Sequence, residues 1–211
     1  WIRTIYFMKK RSPSVEKTAE TRKKIIVAAL NEFNHLGYAN SKIASIAVAA
    51  GLGKGTIYSY FETKEKLFEG VIDYLIEDTY HPIQSDELTS DVTVADFILQ
   101  QMMPAIDNIE SAGRANIARL VLSEGKNFEH IRELYSQKIY QPGQVELQKL
   151  IRIAIERKEL PPESNPEVLT LLILAPIWMG IVHNGILSPD HAQCIQSLFE
   201  INIHNIFKPA S

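Results

Sequence analysis

Two short helical patterns meet at a glycine within residues 41–61, and this arrangement constrains the fold more than any other feature of the chain. The apolar spacing predicts one helix over residues 42–50, a turn over 51–53 and a second helix over 54–60. Ala47, four residues before Gly51, is small enough for two steeply crossing helices to approach closely. Gly51 can supply the positive backbone angle that a tight turn requires. The segment therefore predicts a helix-turn-helix.

The second of these helices should divide into a buried side and a polar side. Ile57 would join a small core with four other apolar residues, namely Ile43, Ile46, Leu52 and Phe61. The side left exposed carries small, polar or cationic groups: Lys54, Gly55, Thr56, Tyr58, Ser59 and Tyr60. Such a face suits insertion into the major groove of DNA. Helix-turn-helix units also serve as protein-binding modules, and Tyr60 could equally be a core aromatic residue.

The charge distribution favours a nucleic-acid partner for the first third of the chain. Residues 1–68 hold 12 Lys and Arg against 5 Asp and Glu, whereas residues 69–211 hold 10 against 20. The front therefore carries a formal charge of +7 and the remainder −10. A basic segment followed by an acidic one indicates two separate tasks, with the basic part facing a polyanion. Chance asymmetry is the alternative explanation.

Helical periodicity continues to the end of the chain and predicts an all-α protein of about nine helices. Thr18 is the expected N-cap of the first helix, Gly37 its expected stop, and Thr63 the cap of the fourth. Internal or near-internal prolines predict kinks at Pro104, Pro142 and Pro176. The remaining helices are predicted over residues 19–36, from 64 to near 82, and over 92–109, 112–124, 128–158, 166–184 and 189–207, the 128–158 helix breaking near 141–143.

Cysteine and apolar content indicate a protein of a reducing compartment. Cys194 is the single cysteine, so no disulfide can form within the chain, and we expect it to be buried on the last helix. The longest apolar run, residues 168–182, is shorter than the about 20 residues of a membrane span. We expect that run to form a fully buried helix, and the protein to be cytoplasmic, with no membrane partner. Residues 1–7 are interpreted as an extension without a function.

The segment 41–67 resembles the signature of the TetR/AcrR family of repressors. The resemblance extends over about residues 18–75, while residues further on are weakly similar to an AefR-like subgroup through ARLVLSEGKNF and IYQPG. The residues that match the family signature are Gly37, Ser41, Ile46, Ala47, Ala50, Gly51, Leu52, Gly55, Thr56, Ile57, Tyr58, Tyr60, Phe61, Lys64 and Leu67. Two residues depart from it, since Gly53 stands where Ser or Thr is frequent and Ser45 where an acid is frequent.

The resemblance implies roles for residues of the head. Thr56, Tyr58, Ser59 and Tyr60 would contact bases and phosphates from the recognition helix, with Gly55 at the same face. Lys54 would lie at the groove edge and Lys64 at a phosphate near a helix N-terminus. Ser41 and Lys42 would contact the DNA backbone, and Arg22 and residues 9–11 could add phosphate contacts. Because Gly53 offers no side-chain cap, the recognition helix should be less stable by about 1 kcal/mol or less.

The resemblance also implies a division of labour along the chain. Residues 1–17 would form a basic arm or extension, 18–68 the DNA-binding domain, and 69–211 a helical bundle for dimerisation and effector binding. A homodimer formed through the last two helices would bind a pseudo-palindromic operator in double-stranded DNA. A small, largely apolar effector would release it. The candidate pocket residues, each of which could be ordinary core, are Phe97, Gln101, Met102, Phe128, Tyr135, Trp178, Met179 and His183.

Other functional classes leave little trace in the sequence. No phosphate loop, H-E-x-x-H, G-x-S-x-G or paired cysteines are present, so a small-molecule-modifying enzyme is a remote alternative. Glu129, His130 and Glu133 could share a helix face as metal ligands, but such groups are usually solvated; we expect no catalytic residue, metal or cofactor. An activator, or a regulator that senses no ligand, remains an alternative to a repressor.

Overall fold

The computed structural model describes residues 15–79 and 82–208, and within these ranges every regular element is helical. The predicted all-α class is therefore confirmed. Because a π-helical turn joins α7 to α8 without a break, the described segments form nine continuous rods, the number predicted. The α-helices are α1 Val15–Asn40, α2 Ile43–Ala49, α3 Lys54–Tyr60, α4 Lys64–Thr79, α5 Val94–Asp107, α6 Arg114–Glu124, α7 Glu129–Tyr135, α8 Gln141–Glu156, α9 Pro166–Val182 and α10 Ile195–Ile206.

Helix α1 begins and ends differently from the prediction. It starts at Val15, so Thr18 lies inside the helix and the prediction of an N-cap there is wrong. Gly37 has φ +73° and interrupts the helical backbone as expected, although helical turns resume as far as Asn40. The arm 9–11 and the extension 1–7 lie outside the described residues. Thr63 does cap α4, since its hydroxyl accepts the Lys66 N–H at 3.2 Å.

The apolar side chains form two cores, and α6 contributes to both. The first core contains side chains of α1, α2, α3 and α4 together with the α6 residues Ile117, Leu120 and Val121. The second core contains side chains of α5, α8, α9 and α10 together with the α6 residues Ala115 and Ala118. Because side chains one or two positions apart point in different directions on a helix, whereas those three apart share a face, a single helix can contribute to two cores in this way. Helix α6 therefore packs against both the head and the bundle.

Two π-helical turns interrupt the second half of the chain. The first, Ser136–Tyr140, precedes Pro142, which lies in the first turn of α8. The predicted break near 141–143 is thus displaced by a few residues and takes the form of a π turn, because proline is tolerated in the first turn of a helix. The second, His183–Leu187, extends α9. Pro104 and Pro176 lie inside α5 and α9 respectively.

Helix α9 is more exposed than predicted. Its buried residues in one chain are Thr170, Ile173, Gly180 and Ile181, so the prediction of a fully buried helix is wrong for the single chain. The segment Pro166–Leu187 is long and apolar enough to cross a membrane by length and composition, although core helices of soluble proteins also meet that criterion. Cys194 is exposed at the N-cap of α10, which corrects the prediction that it is buried.

Candidate nucleic-acid interface and internal cavity

The helix-turn-helix forms as the sequence predicts. Gly51 has φ +66° in the turn between α2 and α3, and the Leu52 N–H donates to the Ala47 carbonyl at 2.9 Å. Ala47 is buried at the crossing, as are Ile46 and Ile57. A larger side chain at position 47 would separate the two helices, because protein interiors leave little free volume. The small core that positions α3 is therefore confirmed.

Helix α3 presents a polar face to solvent. Lys54, Gly55 and Ser59 are exposed, Tyr58 is 42% exposed, and Thr56 and Tyr60 are half-buried, the latter packed against the first core. The Lys54 ammonium lies 5.7 Å from the centre of the Tyr58 ring, a cation–π distance. Gly53 forms the N-cap of α3 without a side-chain hydrogen bond. The exposed groups combine hydroxyl donors and acceptors with one cation, as readout of base edges and phosphates requires.

Two of the predicted DNA-contacting side chains are engaged inside the protein. Ser41 is buried, and its hydroxyl donates to the carbonyls of Glu32 and Gly37. The Lys64 ammonium donates to the Tyr38 carbonyl, and burial lowers its pKa. In this conformation the Ser41 hydroxyl is turned away from solvent, whereas the half-buried Lys64 ammonium keeps further donors, and its phosphate contact stays a prediction.

The other two predicted backbone contacts lie at the surface of the head. Lys42 is exposed, and its backbone N–H donates to the Glu32 carboxylate at 3.3 Å. The exposed Arg22 guanidinium lies 5.1 Å from the centre of the Phe61 ring. Both cations are therefore placed where a polyanion can reach them, although sequence reasoning did not anticipate the stacking on Phe61.

The break in α1 is held by one carboxylate of α6. Glu124, the last residue of α6, accepts the Tyr38 N–H at 2.9 Å and the Ala39 N–H at 2.7 Å, one on each oxygen. These two N–H groups lose helical partners because of the backbone conformation at Gly37. Hydrogen bonds from backbone N–H groups to a carboxylate are stronger than those to neutral acceptors. The head is thus tied directly to the end of α6.

The Tyr38 side chain extends this junction to α7. Its hydroxyl is hydrogen-bonded to His130 Nε2 at 2.8 Å, and its ring meets the Phe128 ring edge-on at 5.1 Å. Burial, and secondarily the neighbouring Glu65 carboxylate, raise the pKa of Tyr38, so the hydroxyl stays protonated. His130 is therefore a partner of Tyr38 rather than part of the metal group considered from sequence.

A second link joins α4 to the first π turn. Lys138 in that turn forms ion pairs with Asp73 at 2.5 Å and with Glu69 at 3.3 Å, both on α4. Burial lowers the pKa of Lys138, but its bonds to the two carboxylates outweigh that effect and leave it raised. Sequence reasoning missed Glu124, Tyr38 and Lys138, because hydrogen-bonded pairs separated by 65 or 86 residues leave no local pattern.

An apolar cavity of about 130 Å³ lies within the bundle. Four of the predicted pocket residues line it, namely Gln101, Met102, Tyr135 and Trp178. Residues that sequence reasoning missed complete the wall. They are Leu75 and Ile76 of α4, Arg114, Ile117 and Ala118 of α6, Ile139 and Tyr140 of the π turn, and Ile83, Ala105, Ile106, Ile109, Gly143, Leu147, Leu174, Ile177 and Ile181.

The other four predicted pocket residues lie elsewhere. Phe97 is buried in the second core, and Phe128 packs on Tyr38. Met179 is 52% exposed because it is turned about 100° from its neighbour Trp178 on α9. His183 lies in the second π turn, where its ring nitrogen is 3.3 Å from the His191 carbonyl. These four residues therefore do not line this cavity, and a role for them in effector binding stays a prediction.

Comparisons with known proteins agree with this geometry. The family model described as bacterial regulatory proteins, tetR family, matches residues 25–71. The regulator TtgR of Pseudomonas putida is 26% identical over 180 residues, which cover 83% of this chain and 84% of TtgR. The uncharacterised regulator YhgD of Bacillus subtilis is 40% identical over 58 residues, 27% of this chain and 30% of YhgD.

Solved structures share the fold. SmeT, the repressor of the Stenotrophomonas maltophilia efflux pump SmeDEF, superposes with a TM-score of 0.69 at 14% identity, covering 88% of this chain and 87% of SmeT. FadR of Bacillus subtilis, solved with stearoyl-CoA, superposes with a TM-score of 0.68 at 18% identity, covering 90% of this chain and 99% of FadR. Together with the helix-turn-helix, these findings identify residues 25–71 as a TetR-family DNA-binding unit and support a DNA-binding transcriptional regulator rather than an enzyme.

Proposed function

We propose that this regulator is a cytoplasmic repressor that binds its operator as a homodimer and leaves it when a small, largely apolar molecule fills the cavity. The observation that carries the proposal is that the same elements line the cavity and hold the head. Helix α6 borders the cavity through Ile117 and holds the α1 break through Glu124. Helix α4 borders the cavity through Leu75 and directly follows α3 in the chain.

The exposed face of α3 is the proposed recognition surface. Lys54 and Tyr58 are its most accessible cationic and aromatic groups, and Thr56, Ser59 and Tyr60 lie beside them. Lys42 and Arg22 would approach phosphates at the edges. We retain the division of the chain near residue 68 and the AefR-like character of the remainder as predictions.

Substitution of Lys54 by Ala tests this surface. The variant should bind a selected operator duplex more weakly and with a salt slope smaller by about 1, because one phosphate contact and its released counterion are lost. Tyr58→Ala should weaken specific binding more than nonspecific binding if the ring contacts a base. Lys126→Ala, an exposed cation between α6 and α7, is the matched control. Unchanged operator affinity and salt slope in Lys54→Ala would contradict the assignment.

An apolar surface on the last two long helices supports dimerisation. The exposed large apolar residues of α9 and α10 are Val168, Leu171, Leu172, Met179, Leu198 and Ile201. Large exposed apolar patches are rare on soluble monomers, whereas homodimer interfaces are rich in apolar surface. A two-fold axis through this surface would set two recognition helices about 34–36 Å apart and would require a pseudo-palindromic operator.

Effector release follows from differential binding. A ligand that favours a conformer with α4 and α6 displaced would move the α1 break through Glu124 and so change the spacing of the two heads. A complete switch between populations of 1:99 and 99:1 needs about 5.5 kcal/mol of differential affinity. The test is expression of the neighbouring operon in a deletion strain, which should rise. A fall in expression would identify an activator instead. If no ligand of the cavity releases the operator, the protein is a regulator without an effector.

A further inference from the structure

The cavity wall is divided into an aromatic part and a polar part. The aromatic part contains Trp178 with Tyr135 and Tyr140, whose ring centres lie 6.1 and 6.3 Å from the Trp178 ring in edge-on arrangements of 69° and 76°. The two tyrosines are five residues apart, Tyr135 directly before the π turn and Tyr140 as its last residue, and the i to i+5 repeat of the turn places them on one side. All three aromatic residues line the cavity.

The polar part belongs to α5 and the start of α6. The Arg114 guanidinium donates to the Ala105 carbonyl and to the Asn108 side chain, which holds it beside α5. Gln101 lies one helical turn before Ala105, on the same face of α5. In the part of the chain that the structure describes, the Gln101 side chain makes no hydrogen bond to protein. Its amide and the Arg114 cation therefore stand together at one side of an otherwise apolar space.

The size of the cavity suits a ligand of about one ring. Its volume of about 130 Å³ is close to the about 150 Å³ of an engineered apolar cavity known to bind benzene. A flat ring fits edge-to-face or offset-stacked contacts with tyrosine and tryptophan. A fused polycyclic molecule or a long acyl chain would require the wall to move.

The charged residues of the cavity wall determine which charge on a ligand is favoured. Among the described residues that line the cavity, Arg114 is cationic and none is Asp or Glu. A buried charge on a ligand needs an opposite charge or hydrogen bonds within reach. A carboxylate would find a guanidinium and an amide, whereas an ammonium would find the aromatic faces but also the repulsion of Arg114. The wall therefore favours an anion over a cation.

We propose that the cavity recognises a compact aromatic acid, with the ring among Tyr135, Tyr140 and Trp178 and the carboxylate directed toward Arg114 and Gln101. This inference rests on the proposed function, in which the cavity is the effector site. It adds the chemical class of the effector and assigns Arg114 and Gln101 as the residues that determine its specificity.

Three probes with one ring and different charges test the proposal. Benzoate, toluene and benzylammonium are titrated into the full-length protein by ligand-observed NMR and calorimetry at neutral pH. Benzoate should bind at least about tenfold more tightly than toluene, because a hydrogen bond to a charged group contributes enough for one decade or more. Benzylammonium should bind most weakly. Arg114→Met should abolish the benzoate preference and leave toluene affinity unchanged, which also shows that the cavity is intact.

Gln101→Leu is the second variant, because Arg114 also bonds to α5 and its loss could disturb folding. It should reduce benzoate affinity several-fold and leave or increase toluene affinity. Equal binding of benzoate and toluene would overturn the proposed acid and leave the cavity as an apolar effector site. Tighter binding of benzylammonium would also overturn it and would identify a cation cage. If none of the three probes binds, this inference fails, whereas the effector role of the cavity fails only if no small apolar ligand releases the operator.

Discussion

At Gly37 the backbone of α1 has a conformation that L-residues with side chains rarely adopt, and this one residue determines how the head is attached. A Cβ atom built there would collide with the Glu124 carboxylate. The close approach lets the carboxylate accept the N–H groups of Tyr38 and Ala39. The glycine therefore meets two demands, positive φ and minimal volume, and the junction depends on both.

Gly37→Ala should lower the free energy of unfolding by about 1–3 kcal/mol, because it combines strain at positive φ with displacement of Glu124. Thermal and urea denaturation measure the change. Gly55→Ala on α3 is the control, since a Cβ atom there meets nothing within 4 Å and alanine favours a helix. Equal stability of the two variants would show that the conformation at residue 37 has no special role.

Glu146 offers a prediction of pH dependence. Its carboxylate accepts the Lys149 ammonium at 2.6 Å and the Ser85 hydroxyl and N–H at 2.6 and 2.8 Å, and these bonds lower its pKa from 4.5 to about 2. A depressed pKa contributes stability that is present above the unfolded value of about 4.5 and is lost as pH falls toward 2. Glu146→Gln should therefore destabilise the protein by about 1 kcal/mol at pH 7 and by progressively less below pH 4.5.

Urea denaturation at several pH values between 3 and 7 measures this difference. Glu129→Gln is the control, since Glu129 is 70% exposed and its ion pair with Arg132 is on the surface. A constant difference between wild type and Glu146→Gln across this range would contradict the assignment.

Among the elements, α9 and α10 depend on one close approach. Gly180 is buried where α9 meets α10, and a Cβ atom there would lie 2.6 Å from Ile195 Cγ1. Because Gly180 has no side chain, Ile195 can pack directly against the α9 backbone. Since α9 also borders the cavity through Trp178 and Ile181, this contact positions the cavity wall and the exposed apolar surface at once.

Gly180→Ala should separate α9 from α10 and lower stability by about 1–3 kcal/mol through overpacking. Ile195→Ala alone should cost about 2–5 kcal/mol through the cavity it leaves. The double variant should be more stable than the sum of the two losses predicts, because each change relieves the other. Additive losses in denaturation experiments would show that the two positions do not share this contact.

For the whole molecule, dimerisation depends on the surface of α9 and α10. Ile201 is 61% exposed in the single chain and lies on α10 among the other apolar residues of that surface. Wild-type protein should sediment at about twice 23.9 kDa. Ile201→Asp should sediment as a monomer at micromolar concentration, because a carboxylate buried in an apolar interface without a partner is costly.

Leu122→Asp is the matched control, since Leu122 is 52% exposed on α6 and outside the proposed interface. It should remain a dimer. A monomeric wild-type protein, or a dimeric Ile201→Asp variant, would contradict the interface, and the second result would direct attention to another surface.

Local chemistry made the head predictable. The α2–α3 unit follows from Ala47, Gly51 and Ile57, whose sizes and backbone preferences act within a few residues. Helix α3 spans Lys54–Tyr60 as the apolar spacing predicts. Pocket residues were harder to predict, because a side chain lines a cavity only if its helix is rotated and placed correctly against several others. Trp178 and Met179 show this, since they are neighbours in sequence and only Trp178 lines the cavity.

The sequence by itself determined the all-helical class, the helix-turn-helix and the polar face of α3, because periodicity, turn glycines and charge act over short distances. Only the tertiary structure decided that Ser41 and Lys64 bond inside the protein, that Glu124 holds the break at Gly37, and that Arg114 joins three aromatic rings around one cavity. These features depend on contacts between residues far apart in the chain. Such contacts exist only after helices pack at particular angles, and no local pattern specifies those angles.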